Sequence, residues 1–167
     1  MSLIHAVSLD RIAVGPELIR LHESEMRAKI PLADAMDLRI ASCDDESLTM
    51  TAPLGPNIND KGCAFGGSLT SLMTLAGWSL VKLAFDARGL SADIYVQDSH
   101  VRYLAPVWSD FSVIAHLADG DSFAQFFETF AARGKARLGS VCSVPLASGE
   151  LAATLTARFV ALRAEKS

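Results

Sequence analysis

The feature that most constrains the fold is a long uncharged segment in the first half of the chain. No charged residue occurs between Lys61 and Lys82. An apolar segment of this length can span a membrane or form a helix buried in protein. Several glycines, serines and threonines keep its hydrophobicity modest for lipid. We therefore predict a buried helix that begins near Gly66, runs to about Arg88 and is ended by Gly89.

Shorter segments with alternating apolar and polar residues surround this helix and predict strands. We expect an irregular arm over residues 1–15 and a first helix over 16–30. Strands are predicted near residues 37–42, 48–54, 92–107, 109–118, 136–147 and 151–162, with a second amphipathic helix within 120–135. The segment 151–162 also contains strong helix formers, so a helix is the alternative there.

The order of these elements predicts a fold class. Two strands precede the central helix and four follow it. A helix that is apolar on nearly all sides must be wrapped rather than laid on a surface. A curved antiparallel sheet around one long central helix, in a single domain spanning residues 1–167, satisfies that demand.

Composition narrows the range of functions. The formal net charge of −4 argues against nucleic-acid or membrane-surface binding, both of which favour a basic face. The cysteines Cys43, Cys63 and Cys142 stand far apart, so we expect neither disulfides nor a metal site. The first residues lack the features of a signal peptide. We therefore expect a soluble cytoplasmic protein.

Two motifs carry a family resemblance. The pattern N-x-x-x-x-x-F-G-G-S-L-x-S-L-x-x-L-A-G-W runs from Asn59 to Trp78, and Y-L-A-P-V follows at residues 103–107. Together they resemble the hotdog-fold thioesterases over residues 30–162. More narrowly, they resemble the thioesterase-like domain that occurs behind an acetyltransferase in some bacteria and alone in others. The resemblance implies an α+β hotdog fold, a homodimer or tetramer, and an active site between two protomers.

The resemblance also implies where the site lies. Better-studied members carry an asparagine, a His-Gly-Gly motif and an acid on the following helix. Laid on this chain, the asparagine is Asn59 and the glycines are Gly66 and Gly67. The histidine position holds Phe65 and the acid position holds Thr74. Two polar catalytic positions of those members are therefore occupied here by a phenylalanine and a threonine.

The residue types before the helix suit oxyanion binding. A helix N-terminus at Gly66 and Gly67 presents unpaired N–H groups and a favourable dipole to a developing negative charge. The glycines could instead serve tight turn geometry or close packing. Asn59 could orient a water or a thioester carbonyl, or it could build an Asx-turn with Asn57 and Asp60.

The proton acceptor is the missing part. The Thr74 hydroxyl can bind a water but cannot act as a base near neutral pH. We predict Asp98 as the candidate base, on a strand face shared with His100 and with Val96, where the family's assisting serine would fall. The alternative is an exposed Asp98 or a partner of Arg102.

Two further groups of residues have both a binding and a packing interpretation. Thr70 and Thr74 share a helix face that could line a ligand channel or form a close-packing seam. Arg133, Lys135 and Arg137 alternate in sequence and could bind the phosphates of a CoA substrate. Otherwise they form a solvated strand end.

The leading hypothesis is therefore a thioesterase acting on acyl-CoA or acyl carrier protein thioesters, without a metal or redox cofactor. The rival is a non-catalytic acyl-thioester-binding domain, or an accessory domain that supports an acyltransferase. The absence of an acid at Thr74 favours the rival.

Overall fold

The computed structural model describes residues 14–44 and 46–164. Nearly all of the irregular arm expected over residues 1–15 lies outside the described residues. The helices are α1 Pro16–Lys29, α2 Pro31–Ala35, α3 Gly66–Asp86 and α4 Phe123–Arg133, with a short 3-10 helix at Gly55–Asn57. The strands are β1 Arg39–Cys43, β2 Ser47–Ala52, β3 Asp93–Tyr103, β4 Phe111–Leu117, β5 Lys135–Pro145 and β6 Leu151–Leu162.

The six strands form one sheet in the order β1-β2-β4-β5-β6-β3, and every neighbouring pair is antiparallel. The prediction of two strands, a long helix and four more strands is confirmed. The last segment is the strand β6, because its alternate residues are buried against the helix while the others face solvent. The short helix α2 was not predicted. It begins at Pro31, which suits the first turn of a helix.

Helix α3 lies across the inner face of the sheet and forms the core. Its length and composition alone would allow it to cross a membrane, but most of its apolar window is buried inside the fold. Its last turn carries Phe85, which is fully buried. The Phe85 ring makes edge contacts with Phe126, Phe127 and Phe130 of α4, at ring-centre distances of 5.8, 4.9 and 4.9 Å. Helix α4 therefore closes the end of the core opposite the start of α3.

Helix α1 packs on α3 through a buried polar contact. His22 is only 4% exposed, and its Nε2 lies 2.9 Å from the Ser79 hydroxyl oxygen. The imidazole ring also lies 5.4 Å from the ring of Trp78. His22 is thus buried, with one hydroxyl as its hydrogen-bond partner and an indole ring beside it. The neutral form of the ring is favoured as a result.

Burial lowers the pKa of His22 from 6.5 to about 4. The charge of Lys82 also lowers it, whereas those of Asp86 and Glu25 act in the opposite direction. Between pH 6.5 and 4 the unfolded chain therefore binds a proton that the folded chain does not.

We expect the free energy of unfolding to fall as the pH drops from 6.5 to 4, with His22 contributing a loss of about 3 kcal/mol and no further loss below pH 4. Urea unfolding at pH 7 and at pH 4.5 measures most of this change. The control is His22→Gln, which keeps a partner for Ser79 without titrating. An equal loss of stability in wild type and variant would show that another group is responsible.

Strand β3 is an edge of the sheet. Within the described ranges it pairs only with β6. Tyr95, Val96 and Tyr103 on this strand are each at least 45% exposed. An edge with unpaired backbone groups and apolar side chains is suited to pairing with another strand.

A β-bulge interrupts β3 at Gln97. Val96 pairs with Phe159 and Asp98 pairs with Arg158, so Gln97 has no partner on β6. Phe159 faces the core and Arg158 faces solvent. Residues paired across an antiparallel ladder lie on the same face of the sheet. The bulge therefore puts Val96 and Asp98 on opposite faces.

Candidate active site at the start of helix α3

The loop before α3 is built around the side chain of Asn59. Its Oδ1 accepts hydrogen bonds from the backbone N–H groups of Lys61 at 2.9 Å and Cys63 at 3.2 Å. Its Nδ2 donates to Cys63 Sγ at 3.2 Å. Asn59 thus forms the local turn that was the alternative to a catalytic role for its side chain. Since Oδ1 is occupied, Asn59 can offer a substrate only the second hydrogen of its amide.

Asn57 fixes this loop to the rest of the fold. It is 1% exposed, and its Nδ2 donates to the carbonyl oxygens of Met36 at 2.9 Å and Pro53 at 2.8 Å. The backbone carbonyl oxygen of Asn57 accepts a hydrogen bond from the Phe65 N–H at 2.7 Å. The residue that precedes α3 is therefore anchored to both α2 and the end of β2.

Helix α3 begins without a side-chain cap. Phe65 is the N-cap residue, in an extended conformation with φ −67° and ψ 131°, and its ring cannot accept from the first amides. The first N–H with a recorded partner is that of Leu69, which donates to the Phe65 carbonyl at 3.1 Å. Within the described residues, the N–H groups of Gly66, Gly67 and Ser68 have no recorded acceptor. They form a cluster of donors at the positive end of the helix dipole.

The two glycines make room for aromatic rings. Neither has a positive φ, so the turn itself does not require glycine. A Cβ on Gly66 would lie 3.3 Å from the Tyr103 ring, and a Cβ on Gly67 would collide with the Phe65 ring. Phe65 is 55% exposed and Tyr103 is 58% exposed. Close packing therefore explains both glycines, and it leaves two exposed rings beside the free amides.

Tyr103 brings the end of the edge strand onto the helix. Its hydroxyl lies 2.5 Å from Thr70 Oγ1 and donates to the Gly66 carbonyl oxygen at 3.3 Å. Thr74 lies one turn further along the same helix face, partly buried. The structure thus joins Gly66, Gly67, Thr70 and Tyr103 in one place. The sequence motif Y-L-A-P-V marks Tyr103, but its contact with Thr70 was not predicted.

Asp98 does not belong to this group. The prediction that it shares a strand face with Val96 is wrong, because the bulge at Gln97 turns Asp98 to the outer face of the sheet. It does share that face with His100, whose partner Thr156 is also exposed. Its recorded hydrogen bond comes from Gln97 Nε2 at 3.4 Å. The sheet therefore separates Asp98 from the side chains of α3.

The predicted cationic group is divided between two elements. Arg133 ends α4, and Gly134 at φ 67° forms the C-cap that turns the chain into β5. Only Lys135 and Arg137 alternate on one strand, on its outer face. Arg137 Nε donates to Gln97 Oε1 at 2.7 Å. Helix α4 ends at Arg133, within the segment predicted to be helical, and the binding of CoA phosphates by these three residues stays a prediction.

The buried thiol of Cys142 is unreactive. Cys142 on β5 is fully buried, and its thiol donates to the Met73 carbonyl at 3.3 Å. Burial raises the pKa of Cys142 to about 11, so the nucleophilic thiolate is disfavoured. Cys142 is therefore not a candidate nucleophile, and the groups considered at the start of α3 are the backbone amides of Gly66 and Gly67 and the hydroxyl groups of Thr70 and Tyr103.

Comparison with known proteins concerns the family and the fold. The family model described as "Putative thioesterase (yiiD_Cterm)" matches residues 20–163. A solved structure of a protein of unknown function from Chlorobaculum tepidum, OLEI01261, superposes with a TM-score of 0.83 at 28% identity, covering 90% of this chain and 98% of that one. A structure from Shewanella oneidensis, described as a "putative thioesterase", gives a TM-score of 0.77 at 31% identity, covering 87% and 98%.

A more distant structure shares the fold. The thioesterase HI1161 from Haemophilus influenzae superposes with a TM-score of 0.69 at 12% identity, covering 88% of this chain and 92% of that one. The mixed α+β architecture, with a six-stranded antiparallel sheet around α3, is thus the predicted hotdog fold. The match over residues 20–163 and the relative at 31% identity establish the family. The chain belongs to the YiiD_C family.

Proposed function

We propose that this protein hydrolyses acyl thioesters, with acyl-CoA or acyl carrier protein thioesters as the substrate class. The observation that carries the proposal is the uncapped start of α3, where the N–H groups of Gly66 and Gly67 have no recorded acceptor among the described residues. Such donors stabilise the oxyanion of acyl transfer. The family and its solved relatives support the same reaction class.

The proposed reaction requires no metal or redox cofactor. The thioester carbonyl oxygen accepts from the Gly66 and Gly67 amides, which polarises the carbonyl carbon. A water oxygen bonds to that carbon, the carbon–sulfur bond breaks, and the proton lost by the water ends on the departing sulfur. The products are a carboxylic acid and a free thiol.

The working form that we propose is a homodimer joined along β3. The exposed apolar side chains of Tyr95, Val96 and Tyr103 on this unpaired edge support that arrangement. Tyr103 also contacts the start of α3. A second copy on this edge would therefore shield the proposed site from bulk water. Lys135 and Arg137 remain the candidates for holding CoA phosphates.

A second candidate function is binding of acyl thioesters without hydrolysis. Two observations favour it: Thr74 stands where better-studied hotdog thioesterases carry an acid, and Asp98 lies on the outer face of the sheet. In this alternative the amides of α3 bind a carbonyl but no group activates water.

Hydrolysis of a panel of acyl-CoAs of increasing chain length by the purified protein tests the proposal. We expect thiol release well above the rate in buffer. Asp98→Ala is expected to leave this rate unchanged, because Asp98 faces away from α3. Asn59→Ala is expected to lower it, because the loop loses the acceptor of two backbone N–H groups. Tight acyl-CoA binding with turnover no faster than buffer would favour the binding domain instead.

A further inference from the structure

We infer that the hydroxyl groups of Tyr103 and Thr70 together hold the water that attacks the thioester, in place of the missing acid. This inference rests on the proposed hydrolysis. Tyr103 stands at the end of the edge strand, 58% exposed, yet its hydroxyl is fixed 2.5 Å from Thr70 Oγ1. Its ring packs on Gly66, which has no side chain to displace it. An exposed side chain held at both ring and hydroxyl is pre-organised for a contact on its open side.

The hydrogen atoms of the pair decide what it can bind. Each hydroxyl has one proton to donate and two lone pairs to accept with. The Tyr103 hydroxyl donates its proton to the Gly66 carbonyl oxygen at 3.3 Å. The proton between Tyr103 and Thr70 is therefore that of the Thr70 hydroxyl. Both protons are thereby used inside the protein. The pair presents only lone pairs to its open side, so it binds a donor such as the O–H of water.

The pair of hydroxyls lies near the part of the site where an acid would otherwise hold the attacking water. Gly66 offers its N–H to the proposed oxyanion and its carbonyl to Tyr103, so the two binding features share one residue. Thr74, at the position where better-studied hotdog thioesterases carry an acid, lies one turn beyond Thr70 on the same helix face. A water that donates to the pair has a lone pair free for the carbonyl carbon beside the amides.

The pair acts by position and not as a base. During attack the oxygen–carbon bond forms, the carbon–sulfur bond breaks, and the water proton ends on the departing sulfur. Tyr103 and Thr70 keep their own protons throughout. Removing either hydroxyl should therefore slow the chemical step while substrate binding is kept.

Steady-state hydrolysis of the best acyl-CoA by hydroxyl-deletion variants tests the inference. We expect Tyr103→Phe and Thr70→Val each to lower kcat on the order of 10- to 100-fold, with KM changed by less than about twofold. Thr70→Ser keeps the hydroxyl and should stay near wild type. Tyr95→Phe is the matched control, since Tyr95 is an equally exposed tyrosine on the same strand, and it should have no effect.

Other outcomes would overturn the inference. A rise in KM at constant kcat would mean that the pair binds the substrate's amide groups instead of water. Unchanged kinetics in Tyr103→Phe would remove the pair from the reaction.

If wild type hydrolyses no thioester, the proposed function itself fails. The pair is then judged by crystal structures of wild type and Tyr103→Phe. A water in contact with both hydroxyls, lost in the variant, would support the binding site, and its absence from wild type would reject it.

Discussion

Gly66→Pro is expected to lower kcat by about 10²- to 10³-fold relative to Gly66→Ala, which is the loss typical of removing one oxyanion donor. Proline has no N–H, and its fixed φ suits the first residue of a helix. The preceding residue must be extended, and Phe65 already is, with ψ 131°. The substitution therefore removes a donor while the start of α3 keeps its path.

Gly66→Ala is the matched control for this experiment. It places a Cβ at the same point, 3.3 Å from the Tyr103 ring, but keeps the N–H. The crowding of a Cβ against the Tyr103 ring is thus common to both variants. Thermal unfolding of the two proteins checks that both remain folded. Equal kcat values for the proline and alanine variants would show that the Gly66 N–H does not stabilise the oxyanion.

Phe85→Ala is expected to reduce the free energy of unfolding by about 3–5 kcal/mol, the usual cost of truncating a buried aromatic ring. The ring is fully buried and meets three phenylalanine rings of α4 edge-on. Its removal leaves a cavity where α3 and α4 join. Urea unfolding of the purified variant at pH 7 measures the loss.

Leu21→Ala provides the comparison for Phe85→Ala. Leu21 lies on α1 and is 51% exposed, so its truncation should change stability by about 0.5 kcal/mol or less. A loss of less than about 1.5 kcal/mol in Phe85→Ala would mean that the site collapses around the missing ring. Helix α4 would then be less firmly tied to α3 than the ring contacts imply.

The fold could largely be predicted because its main signals are local. The absence of charge between Lys61 and Lys82 identifies α3, since a helix without a polar face has to be enclosed. Alternation identifies the strands, since each has one face on the core. Even the ambiguous segment 151–162 contains this alternation, and packing against α3 selects the strand over the helix.

The site was predicted only in part, because its remaining features depend on pairing between distant residues. The bulge at Gln97 arises from the register between β3 and β6, which alternation within β3 does not reveal. For that reason alternation alone places Asp98 on the face of Val96, which is wrong, although Asp98 does share a face with His100. The contact between Tyr103 and Thr70 likewise joins a strand end to a helix 33 residues away in sequence.

The Phe65 ring over Gly67 has a consequence for engineering the protein. A methyl group at position 67 would not fit beneath the ring, and the ring, which is 55% exposed, has space to swing outward. The size of residue 67 therefore sets the distance between the Phe65 ring and the start of α3. Replacing Gly67 by alanine or serine would then turn the ring outward, away from the free amides at the start of α3. In the thioesterase that we propose, Gly67→Ala would thus change which acyl groups reach these amides, although residue 67 contributes only its backbone to the reaction.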